Sequence, residues 1–127
     1  MRVIPTKITV ELPAGISKEE VLKEIEDLIK LKKYEVNEGF KLLNDYDKKR
    51  ALKIAEFVEN YLKKHYPKVR FKIGLEYDDF EKEITICVYY LSKLSSDDRL
   101  RIIEEVSDAI RKEFPKSERK NIYVVYF

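Results

Sequence analysis

An α+β fold built on a four-stranded sheet is the prediction, and three observations carry it. Four segments alternate apolar and polar residues with period two. The stretches between them repeat apolar residues at helical spacing. Only three Gly and four Pro interrupt these elements. At 127 residues the chain suits a single core, so residues 1–127 read as one α+β domain.

Thr6–Leu12 alternates cleanly, with Ile8, Val10 and Leu12 opposite Lys7, Thr9 and Glu11, as in a strand covered on one face. Pro13 and Gly15 end it. Ser17 and Glu20 then form a capping box, and Val21, Leu22, Ile25, Leu28 and Ile29 carry a helix to about Lys33. From Tyr34 to Asp47 the pattern is ambiguous. Val36, Phe40 and Leu43 suggest a short helix, but Gly39 inside it costs ~1 kcal/mol relative to Ala. A strong helix follows from Asp47 to about His65, with Ala51, Ile54, Ala55, Val58 and Leu62 on one stripe and Pro67 as its stop.

Val69, Phe71, Ile73, Leu75 and Tyr77 alternate next, and Asp78-Asp79-Phe80-Glu81 reads as a hairpin turn lacking the usual Gly. The return strand places Ile84, Ile86, Val88 and Tyr90 on the face toward the helices. Its other face carries Thr85, Cys87, Tyr89 and Leu91. Ser95 or Ser96, with Asp97 and Asp98, caps a last helix whose inward residues are Leu100, Ile103, Val106, Ile110 and Phe114. Pro115 ends it. Asn121–Phe127 is the closing strand, Ile122, Val124 and Tyr126 opposing Tyr123, Val125 and Phe127.

Reduced to one helix per crossover, this order is βαββαβ, the ferredoxin-like arrangement. The expectation is a four-stranded antiparallel sheet with the first and last strands adjacent, both helical connections on one face and an extra helical insertion in the first crossover. In layout, residues 69–127 are similar to the ferredoxin-like domains that follow some membrane metal transporters, the cation diffusion facilitators. The shared features are a strand pair, a Ser/Asp-capped helix ending Phe114-Pro115 and a final strand. The resemblance implies a metal-binding His in the closing strand, and Tyr123 stands in that region, so the metal function is not carried over.

Composition narrows the function classes. Lys+Arg is 26 and Asp+Glu 24, so a net charge of +2 makes no global case for nucleic acid or an anionic membrane. One Cys excludes an internal disulfide framework and any multi-cysteine metal site. No apolar run reaches the ~18–20 residues of a membrane helix, and the N-terminus shows no signal-peptide core, so a cytoplasmic location is expected. Charged residues make up 39% of the chain and Gln is absent, a pattern that suggests thermostability through ion pairs. Gly15, Gly39 and Gly74 are too far apart for a phosphate-cradling loop.

His65, the single histidine, ends a helix where a cation suits the terminal carbonyls, and Cys87 sits mid-strand; both read as structural. Asp78, Asp79, Glu81 and Glu83 could attract a hard cation, but the spacing of an EF-hand loop is missing and solvated turn residues explain them. The remaining candidate is the mixed sheet face. Tyr89, Leu91, Tyr123, Val125 and Phe127 would form an apolar patch there, with Lys7, Arg70 and Lys72 nearby. The expected function is a non-catalytic binding or oligomerisation module working through that face, without a cofactor, as a homo-oligomer or with a protein partner. Two alternatives stand beside it. One is RNA or single-stranded nucleic-acid binding through the aromatics, although the return strand lacks the Lys/Arg-Gly-Phe pattern of RNA-recognition domains. The other is a small metal-dependent enzyme built on the acidic hairpin.

Overall fold

The structure, a computed structural model, describes residues 33–127 together with Lys18, Glu19, Val21 and Leu22, which are helical. The expected strand Thr6–Leu12 and most of the Ser17 helix lie outside the described residues. The described elements run β1 (Glu35–Val36), α1 (Glu38–Lys41), α2 (Asp45–His65), β2 (Lys72–Asp78), β3 (Glu83–Tyr89), a 3-10 turn (Leu91–Lys93), α3 (Ser96–Glu113), α4 (Lys116–Arg119) and β4 (Ile122–Tyr126).

The fold is α+β with a four-stranded sheet in the order β1-β2-β3-β4. An antiparallel sheet does not hold for the described strands. β1 runs parallel to β2 and β4 parallel to β3, and only the β2–β3 hairpin is antiparallel. β1 and β4 are the outer strands of the described sheet, and the adjacency expected of Thr6–Leu12 and the closing strand falls outside the described residues. The departure begins in the ambiguous Tyr34–Asp47 stretch. Asn37 N donates to Leu75 O (3.1 Å), so the chain enters beside β2 as a two-residue strand before α1 starts. Two residues carry no periodicity, and pairing with β2 alone makes them a strand.

Asn37 is also the cap of α1. Its Oδ1 accepts from Phe40 N (2.9 Å) and Tyr77 N (3.1 Å), while its Nδ2 donates to Tyr77 O (3.3 Å). α2 begins two residues earlier than its apolar stripe implies, because Asn44 Oδ1 accepts from Asp47 N (2.8 Å). Ser95 caps α3 in the same way, its hydroxyl accepting from Asp98 N.

The core lies on one face of the sheet. All five residues of the α2 stripe are buried against Ile73 and Leu75 of β2 and Ile84, Ile86 and Val88 of β3. Each large side chain so buried is worth about 1.5–3 kcal/mol against exposure. α3 contributes Ile102, Val106 and Ile110, with Phe114 set edge-to-face on Phe57 of α2. Leu100 points outward instead of inward, because the stripe steps by four from Val106 back to Ile102. Tyr34 and Phe40 also join this core, so the Tyr34–Tyr46 segment does not fold over the opposite face of the sheet.

Candidate interface on the open sheet face

Alternation sends Glu35, Lys72, Gly74, Glu76, Thr85, Cys87, Tyr89, Tyr123 and Val125 to the face away from α2 and α3. Two halves of unlike chemistry result. On the β1–β2 side Lys72 pairs with Glu35, and Glu76 stands exposed beside them. On the β3–β4 side Tyr123, Val125 and Phe127 are 49%, 39% and 50% exposed, a stripe without charge along an edge of the described sheet.

The floor of this half is Tyr89. Its ring stacks on Phe127 at 5.4 Å between centroids and 19° between planes. On the other side it lies across Gly74, where an added Cβ would meet its Cε2 at 2.8 Å. Glycine at that strand position thus leaves room for an aromatic ring to close over the backbone. Beneath the ring Cys87 is buried yet stands apart from the helix-side core. Burial raises its thiol pKa above 9.0, which disfavours the thiolate a reactive cysteine needs. The Tyr89 hydroxyl is pushed up to about 12, by burial first and by Cys87 second.

β4 is held from both ends by groups the sequence did not single out. At its entry Arg50 of α2 donates Nη1 to Glu118 O (3.0 Å) and Lys120 O (2.9 Å) and Nη2 to Asp47 Oδ1 (2.8 Å). Asn121 then turns through φ 60°, a conformation Asn tolerates. At its exit Phe127 O accepts from Leu91 N (2.7 Å) and Ser92 N (3.1 Å). Arg50 reads in the sequence as one cation among many on a solvated helix, and nothing local marks its three partners.

Four of the expected site residues meet on this face: Tyr89, Tyr123, Val125 and Phe127. Lys72 shares the face but on its charged half. Leu91 does not belong there. Tyr90 takes φ 76°, which breaks the strand alternation, and Leu91 swings into the core with no exposed area. The same break turns Tyr90, expected inward, out to 51% exposure. Arg70 precedes β2 and lines a pocket at the sheet's end instead of the face. Lys7 lies outside the described residues.

At the hairpin, Asp78 Oδ1 accepts from Phe80 N (2.9 Å) and Lys82 occupies the left-handed position (φ 59°) where a Gly is more usual. Asp78, Asp79, Glu81 and Glu83 line a shallow pocket of about 400 Å³. Among the described residues no three His, Cys, Asp or Glu side chains are grouped so as to hold a metal ion. His65 ends α2 with its ring 4.3 Å from that of Tyr61. No helix of the described residues is long and apolar enough to cross a membrane.

The chain is similar to Uncharacterized protein MJ0991 of Methanocaldococcus jannaschii, with 38% identity over 65 residues. That match takes in 51% of this chain and 42% of the relative, so it spans less than half the relative's length. No family model and no solved structure matches.

Proposed function

We propose that the chain is a binding module without catalytic chemistry, whose open sheet face docks a second copy of itself. The observation that supports this is the uncharged stripe of Tyr123, Val125 and Phe127, bordered by the Tyr89 ring and exposed along β4. Large contiguous apolar patches are uncommon on monomers, and a polar rim around one marks an interaction site. The β1–β2 half of the same face carries Glu35, Lys72 and Glu76, which would form a polar rim and confine the contact to the β3–β4 half.

A second copy suits the stripe because a two-fold pair presents one patch to itself. Self-pairing also meets little electrostatic opposition, since the net charge is +2. Light scattering on a sized column tests the reading. The parent should elute at twice the chain mass, and Val125→Lys at the chain mass with its fold intact by circular dichroism, because an unpaired charge in a buried patch is costly. A parent that is monomeric at high micromolar concentration refutes it.

A further inference from the structure

We infer that the end of the sheet opposite the hairpin turn binds single-stranded nucleic acid, with Tyr90 as the platform for one base and a basic groove on either side of it for phosphates. This site is separate from the apolar stripe. Two pockets of about 470 and about 520 Å³ share Val69, Arg70 and Tyr90 as a common wall. Lys33, Lys63 and Lys72 stand in the first, with Glu59 as its carboxylate, and Lys68 and Lys93 in the second, which has none. Glu59 faces Lys63 at 3.8 Å, and Lys72 is held by Glu35. Lys68, Arg70 and Lys93 carry no carboxylate partner among the described residues.

Charge is thus concentrated here in a chain that is nearly neutral as a whole. The compensating carboxylates Glu76, Asp78, Asp79, Glu81 and Glu83 gather at the far end of the same hairpin. A polyanion is the ligand such a groove attracts, and counterion release drives its binding.

Tyr90 makes the ligand more specific than a polyanion in general. A tyrosine at φ 76° is a strained backbone, and this one is held with its ring half in water. The residues that follow are fixed by Leu91 N and Ser92 N donating to Phe127 O. The ring is therefore presented at little conformational cost between two groups of cations, the arrangement that sequence-tolerant binding of single strands uses. Arg70, common to both pockets, can serve a phosphate or the stack.

Anisotropy of a fluorescein-labelled oligo-dT of about 20 nucleotides tests the site, titrated from about 50 to about 200 mM salt. The parent should bind with an affinity that falls steeply with salt. Arg70→Glu with Lys93→Glu should weaken binding more than about tenfold and flatten the salt slope, because phosphate contacts are lost. Tyr90→Gly should weaken it roughly tenfold with the slope unchanged, because only stacking is removed. Glycine suits φ 76°, so this variant keeps the fold, and its melting temperature should not fall. Phe80→Ser, in the exposed hairpin turn at the other end of the sheet, should bind like the parent, since Phe80 lines neither pocket. No binding at low salt, or binding that Tyr90→Gly leaves intact, overturns the proposal. So does a parent that ignores the oligonucleotide but loses an acidic protein partner on Arg70→Glu.

Discussion

A methyl group added at Gly39 would stand 2.4 Å from the Tyr77 carbonyl oxygen, which is backbone and cannot swing away. Helix propensity alone favours Ala there by ~1 kcal/mol. Overpacking against a fixed neighbour typically costs about 1–3 kcal/mol, so the clash wins. Gly39→Ala should lower stability by up to about 2 kcal/mol in urea unfolding. At Gly74 the added methyl meets a movable ring, so Gly74→Ala should change stability by less than about 1 kcal/mol. Its mark should instead be a displaced Tyr89, seen in the near-ultraviolet circular dichroism. Cys87, under that ring, should stay unreactive toward a thiol reagent until the protein unfolds. Prompt labelling of the native protein would contradict the packing described for it.

Side-chain caps decide where the helices begin, and they differ in reach. Asn44 closes only the start of α2, so Asn44→Ala should cost about 1 kcal/mol. Asn37 caps α1 and at the same time bridges to both backbone groups of Tyr77 in β2. Asn37→Ala should therefore cost more, about 2–3 kcal/mol, because Tyr77 N and O lose their side-chain partners too. Unfolding both variants under one condition checks the order, and equal losses would show that the bridge to β2 adds nothing. Both caps lie in the stretch the sequence left undecided. Val36 and Phe40 do face the core, but one does so from a strand and the other from a helix. No single period describes that, and Asn37 is the residue at the junction.

For the molecule as a whole, tyrosines couple folding to high pH. Burial pushes Tyr126 up to about 12 from its ordinary 10.0, outweighing the lowering effect of Ser107 beside its hydroxyl. Tyr66 is likewise raised to about 12, by burial and by its hydrogen bond to Glu105. A raised acid holds its proton longer in the folded state than in the unfolded chain. The stabilisation is complete below pH 10 and is lost as pH climbs toward 12. Urea midpoints should stay level up to about pH 9.5 and fall above pH 10, and Tyr126→Phe should make the fall shallower. A midpoint independent of pH across that range would mean that these hydroxyls are not sequestered.

The sequence by itself determined the α2 stripe, a serine cap at Ser95 or Ser96, the β2–β3 hairpin and the two faces of β4, because each follows from a local period or a local cap. It also placed Tyr89, Tyr123, Val125 and Phe127 together, since alternation along paired strands is enough to put them on one face. Only the tertiary structure decided the order and direction of the strands, because neighbours in a sheet are chosen by packing and connection, not by period. The exchange of Tyr90 and Leu91 was equally out of reach of the pattern. A single left-handed backbone, fixed by hydrogen bonds from a 3-10 turn to Phe127, moves one side chain into the core and the other into water.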